Sequence, residues 1–296
     1  MSFRSFPRLP ELTGLALILA AASLVASDSA FEVERRNDIV FASPDGVDLL
    51  LDLYLPVGVE NSPLVVHIHG GGWKNGDRSR CRLSWLPKHG FALASIEYRL
   101  SQEALFPAQI EDCKGALRWL RANSEKYGYD ASKVVVSGTS AGGHLAGLMG
   151  TSGDVDDLEG TTGGNLDQSS QVQGAIPYYG AHDFVSRSQN QPSKTDEPNG
   201  GVYQLLGGPV QENLEAARLA SPVTYITEND PPFLILHGEN DPTVFLDQSE
   251  ILHARLEEAG VSSQLIVEKG AKHGWPVNEA EKQAVLAFLK QVYSGD

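Results

Sequence analysis

Two hydrophobic periods alternate along the chain. Short apolar runs at residues 64–68, 91–96, 134–136, 174–178, 233–236 and 264–267 have the length of buried strands and are bounded by glycine, proline or polar clusters. Between them, apolar residues recur every three or four positions. Ile110, Cys113, Leu117 and Leu120 share one helical face, and Pro107 suits the first turn of that helix. Residues 140–149, 245–259 and 279–292 read as further helices. Residues 39–54 read as an antiparallel hairpin that turns at Pro44-Asp45-Gly46. Continuous apolar strands alternating with helices predict an α/β fold. Its central sheet is mostly parallel with helices on both faces, and the hairpin lies at its N-terminal side.

Two stretches break the rhythm. Residues 151–171, rich in Gly, Asp and Ser, predict a surface loop. Residues 184–218 are long and polar, and within them 186–201 shows little periodicity. Loops of that length in compact domains are usually functional or disordered, so this one is expected as an insertion over the substrate side.

The chain has 296 residues, 41% of them hydrophobic, enough for one large core spanning residues 31–296. A net charge of −15 without any basic run argues against nucleic acid and anionic membrane surfaces as partners. At the N-terminus, Arg4 and Arg8 precede an apolar run at 15–26 that is short for a bilayer, and small residues follow. Residues 1–30 therefore read as a secretory signal peptide, cleaved near Ser27 or Ala30. The expected product is secreted or periplasmic, without stable membrane insertion after processing. Export permits a disulfide between Cys81 and Cys113, but Cys113 sits on the apolar stripe and reads as a buried free thiol. Neither cysteine has a metal-ligand pattern around it, and no metal is expected.

The chemistry concentrates where the run Lys-Val-Val-Val-Ser ends and Gly-Thr-Ser-Ala-Gly-Gly begins, at Gly138. A G-x-S-x-G sequence alone is a weak signal. Here it follows a strand and opens a helix, as a nucleophile elbow requires. A side chain at Gly138 or Gly142 would collide with neighbouring backbone, so the bare turn holds Ser140 out of the sheet at a helix N-terminus. A serine hydroxyl needs a base to take its proton. Of eight histidines, His273 lies between the last strand and the last helix, in the loop class where α/β sites collect reactive groups. His144 is expected to pack inside the helix that Ser140 opens. The carboxylate that orients the base is assigned to Asp241, in the loop after residues 233–236, with Glu239 and Asp183 as rivals. The order Ser, Asp, His along the chain supports this choice. In the run His-Gly-Gly-Gly-Trp at 69–73, backbone N–H groups of Gly71 and Gly72, with that of Ala141, are the expected donors to an oxyanion. Trp73 either walls the substrate pocket or simply packs.

Together with Tyr-Arg-Leu-Ser at 98–101, residues 106–123, Leu-Leu-Gly-Gly-Pro at 205–209, His-Gly-Glu-Asn-Asp-Pro-Thr-Val at 237–244 and Lys-His-Gly-Trp at 272–275, these motifs resemble the α/β-hydrolase superfamily. Within it the chain is similar to the bacterial exported esterases described as bifunctional feruloyl and acetyl-xylan esterases, with hormone-sensitive-lipase-like esterases and kynurenine formamidases as relatives. The resemblance runs from about residue 48 to the C-terminus. It implies an α/β-hydrolase fold, no cofactor, and hydrolysis of small-molecule or polysaccharide esters. It carries over Ser140, Asp241 and His273 as a triad, with Gly71, Gly72 and Ala141 as oxyanion donors. The alternatives are an exported peptidase or formamidase on the same fold, and a binding protein that kept the scaffold without its chemistry. Ala141 after the serine, and the absence of propeller repeats, argue against the peptidase.

Overall fold

The computed structural model describes residues 30–294. The signal peptide expected at 1–30 lies outside these residues, apart from its last position. Eight strands form one sheet: β1 (Val33–Ala42), β2 (Leu49–Pro56), β3 (Ser62–Ile68), β4 (Ala92–Ile96), β5 (Tyr129–Thr139), β6 (Gly174–Tyr178), β7 (Phe233–Gly238) and β8 (Ser263–Glu268). Their order is β1-β2-β4-β3-β5-β6-β7-β8. β2 is antiparallel to both of its neighbours and all other pairs are parallel. This is the expected α/β-hydrolase architecture with its N-terminal hairpin. β5 extends well beyond the apolar core at 134–136, because its start pairs with Ser62 and Pro63 and residues 131–133 then bulge out of the ladder.

Alternation along the central strands fills two cores. Val134 and Val136 face one side with Leu64, Val66 and Ile68; Val135 faces the other with Val65 and Leu93. The first side is covered by α1 (Ala108–Ala122), α3 (Ala141–Thr151) and α8 (Asp247–Glu258), the second chiefly by α9 (Glu279–Ser294). Ile110, Cys113, Leu117 and Leu120 are all buried on α1. A single turn, α2 (Ser124–Tyr127), leads from α1 into β5. Cys81 and Cys113 are free thiols.

Both rhythm-breaking stretches carry more order than their composition predicts. The 151–171 loop is pinned from beneath by the fully buried Lys114 and Arg118, which bond the carbonyls of Ser152, Thr162 and Gly164 and pair with Glu159. Residues 184–218, expected as a loop, form four short helices: α4 (Phe184–Asn190), α5 (Pro192–Thr195), α6 (Gly201–Leu206) and α7 (Leu214–Leu219). Each is too short to show periodicity in sequence. Asp183 caps α4, the other three have no side-chain cap, and all four bury residues against the rest of the fold.

The topology fixes where a site can form. From β3 the chain moves outward to β4 and then returns across β3 to β5, so strand order reverses between β3 and β5. Ligands in open α/β sheets bind at such a reversal, beyond the carboxyl ends of the strands. Those ends carry the 69–73 loop and Ser140.

Candidate active site

β5 and β3 run in register with Ile68 opposite Gly138, which brings the two glycine-rich segments together. Ser140 occupies a backbone conformation rare for a side-chain-bearing residue, φ 55° and ψ −114°, at the N-cap of α3. The surrounding glycines are dictated by space. A Cβ on Gly138 would stand 2.1 Å from the carbonyl oxygen of Gly142, and one on Gly142 would stand 2.1 Å from that of Ile68. Gly143 is equally constrained, 2.3 Å from the Tyr178 carbonyl oxygen. The turn is closed by Ser140 N–H donating to the Tyr178 carbonyl at 2.9 Å and by His144 N–H donating to the Ser140 carbonyl at 2.9 Å.

The three side chains named from sequence converge. His273 Nε2 lies 2.8 Å from Ser140 Oγ, and His273 Nδ1 lies 2.6 Å from Asp241 Oδ2. Asp241 is held in turn: its Oδ1 accepts the amides of Thr243 at 2.8 Å and Val244 at 3.1 Å. Burial works against its charge, but His237, His273 and the Thr243 amide outweigh it and hold the carboxyl well below the usual carboxylate range. Asp241 therefore stays ionised and accepts from Nδ1, which leaves Nε2 free to take a proton from the hydroxyl. The rival acids have other tasks. Asp183 caps α4 by accepting from the amides of Val185 and Ser186, and Glu239 accepts from the amide of Gly270.

Gly72 and Ala141 line a cavity of about 190 Å³ together with Ser140. Gly71 does not line it. Its φ is +129°, its carbonyl accepts the amides of Lys74 and Asn75, and an added Cβ would sit 1.8 Å from the Asn75 oxygen. Gly71 thus shapes the turn that presents Gly72. Trp73 combines both of its expected roles. It lines the cavity, yet it is only 4% exposed and its indole N–H donates to His144 Nδ1 at 3.2 Å. His144 Nε2 donates to the Ala220 carbonyl at 2.6 Å, and burial lowers this imidazole to about 4, so it is neutral and ties the 69–73 loop to α3. A larger hollow of about 390 Å³ opens at the other end of α3 beside Met149 and Asp230, but none of the expected site residues reaches it.

Sequence reasoning missed three contributors. His237 approaches Asp241 Oδ2 at 3.4 Å, and its ring is fixed by Ser249 and the Val244 carbonyl. Its spacing of four residues from Asp241 was the available signal. Tyr179 packs edge-on against the His273 ring, with centroids 4.9 Å apart, and Trp275 packs on Tyr179. Arg187, from the 184–218 segment, lines the cavity, and no local pattern marked it. Among the described residues no cluster of three or more His, Cys, Asp or Glu side chains could hold a metal ion.

The family described as BD-FAE matches residues 51–256. Esterase LipC of Mycobacterium tuberculosis is 31% identical over 242 residues, covering 78% of this chain and 59% of LipC. The chain thus spans about three-fifths of that relative's length. Among solved structures, a truncated carbohydrate esterase from gut microbiota superposes with a TM-score of 0.80 at 28% identity, over 90% of this chain and 99% of the other. A bifunctional GH43-CE protein of Bacteroides eggerthii gives a TM-score of 0.80 at 34% identity, over 90% of this chain and 35% of the other.

Proposed function

The chain belongs to the BD-FAE family, and on that premise we propose that it is a serine carboxylesterase, exported from the cell, that acts on small carboxylic esters and on acetyl or feruloyl esters of plant polysaccharide. One observation carries the reading: hydroxyl, imidazole and carboxylate form a single hydrogen-bonded line beside a glycine-lined cavity.

His273 Nε2 takes the Ser140 proton as Oγ attacks the ester carbonyl. The carbonyl π bond becomes an oxyanion, which the N–H groups of Gly71, Gly72 and Ala141 stabilise. The imidazolium, steadied by ionised Asp241, returns the proton to the departing alkoxide, and an acyl-serine remains. Water repeats the sequence with His273 as base and releases the acid. The polysaccharide assignment draws on the carbohydrate esterase named among the structural relatives. Export draws on the Arg-flanked apolar run ahead of residue 30.

Purified Ser140→Ala is expected to keep its circular dichroism spectrum and melting temperature. It should lose 4-nitrophenyl acetate hydrolysis by at least ~10³-fold and no longer react with a fluorophosphonate probe. Retained turnover in that variant ends the reading. Acetate and ferulate release from acetylated xylan and methyl ferulate test the substrate class, and the N-terminal sequence of the exported protein tests processing near Ser27 or Ala30.

A further inference from the structure

We propose that the cavity beside Ser140 is a carboxylate-binding subsite, so that the preferred ester carries a negative charge on the part that enters it; the inference rests on the esterase reading above. In a protein of net charge −15, the lining of this cavity includes Arg187, Lys74 and Lys194 and no acidic side chain. Trp73, Ala181, Val202 and Val244 supply apolar wall. At about 190 Å³ the space takes a short chain bearing the charge, next to the serine that would attack its ester.

Arg187 carries the argument. Three arginines are buried among the described residues: Arg99, Arg118 and Arg187. Arg99 is paired with Asp112 and Arg118 with Glu159. Arg187, only 4% exposed, has no carboxylate within ion-pair distance among the described residues. Its Nε donates to Gln191 Oε1 at 3.2 Å and its Nη2 to the Thr243 carbonyl at 2.9 Å, while Nη1 has no protein acceptor. The neighbouring acids are engaged elsewhere: Asp241 with its histidines and amides, Asp247 with Asn190. Burial pushes the guanidinium down to about 10, with Asp241 and Asp247 pulling the other way from beyond ion-pair distance, and it stays protonated at neutral pH. A buried cation without a counterion is costly, and removing the partner of such a pair is strongly destabilising. A planar guanidinium with Nη1 unbonded, on a residue that lines the cavity, has donors left for an incoming carboxylate. Lys74, whose Nζ reaches the Asn199 carbonyl at 3.2 Å, and Lys194 add positive potential at the rim.

The competing role for Arg187 is structural, since its bond to Thr243 braces the loop that holds Asp241. The two roles separate in a charge-selectivity ratio. In one arm, kcat/KM for 4-nitrophenyl hydrogen succinate is compared with that for its neutral methyl ester, placing the charge on the acyl side. In the other, O-acetylglycolate is compared with its methyl ester, placing the charge on the alcohol side. The expected result is preference for the anionic member in one arm, which then identifies the side that enters the cavity. Arg187→Gln should lower that ratio ~10- to 100-fold, with Arg187→Lys recovering part of it. Lys194→Gln, on a half-exposed side chain, should lower it severalfold and serves if Arg187→Gln does not fold. Absence of anionic preference in both arms overturns the inference, as does an equal loss on both members in Arg187→Gln. Calorimetric titration of Ser140→Ala with the same pairs reads the preference without turnover. If wild type cleaves no ester, the esterase reading falls, and tighter binding of the anionic members still supports the subsite while equal binding overturns it.

Discussion

At the Ser140 turn, contact is backbone against backbone. The carbonyls of Gly142, Ile68 and Tyr178 occupy the space where side chains on Gly138, Gly142 and Gly143 would stand. Across the cavity, in the wall built from residues 184–218, side chains do the holding. Asp183 caps α4, Asp196 gathers Ser188, Thr195 and the Gln211 amide, and Arg187 reaches over to Thr243. The first region is rigid because nothing larger fits. The second is rigid only as far as particular polar partners are present. Ser140 therefore sits on the part of the molecule that tolerates least change, and the far wall of the cavity sits on the part that tolerates most.

The sharpest way to break this contrast is to crowd the turn. Gly142→Ala forces a methyl against the carbonyl oxygens of Ile68 and His69, which lie 2.1 and 2.5 Å from the point its carbon would occupy. Relief requires moving α3 or the end of β3, and misplacement by about 1 Å costs roughly 10²-fold in rate. We expect at least that loss in kcat on 4-nitrophenyl acetate, with about 1–3 kcal/mol of destabilisation in urea melts. Unchanged activity would mean that the elbow is softer than its contacts indicate.

A second test concerns the joint between the two regions, where Trp73, His144 and Ala220 are linked. The folded-state pKa of His144 is lowered from 6.5 to about 4 by burial, so the unfolded chain takes up the proton first. Stability is accordingly lost as pH falls below about 6.5, by roughly 3 kcal/mol once below about 4. The melting temperature should drop across that window, less steeply in His144→Gln. An equal slope in the variant would assign the acid sensitivity to other groups, of which buried His67 and His182 are lowered in the same direction.

The smallest effect is expected in the wall. Asp183→Ala removes the cap from the Val185 and Ser186 amides and should cost about 1 kcal/mol of stability. Its effect on hydrolysis of a neutral ester should stay well below that of Gly142→Ala. A loss as large as at the turn would show that the wall, too, positions the nucleophile.

Much of this molecule was legible without coordinates. Glycine at 138 follows from a strand-to-helix turn whose crowding is local, against the Gly142 carbonyl, whereas the carbonyls that exclude a side chain at 142 come from Ile68 and His69 on a distant strand. The chain order of Ser140, Asp241 and His273 follows from a topology with few alternatives. The four helices of 184–218 were not legible, because none exceeds seven residues and each buries at least one side chain against the rest of the fold. Gly71 and Gly72 show the same limit in miniature: successive glycines look equivalent in sequence, and only the fold sets the Asn75 carbonyl where a Cβ on Gly71 would stand while leaving the space at Gly72 open.

By itself, the sequence determined the sheet, its covering helices and the identity of the three side chains that converge. Those depend on periodicity, on steric bareness and on residue chemistry, all of which are properties of short segments. Tertiary structure alone decided that His273 stands 2.8 Å from Ser140, that His237 backs Asp241, and that Arg187 enters the cavity without a counterion. Each of these is a meeting of groups separated by other elements. Hydrogen bonds and charges act over distances that only the folded chain sets.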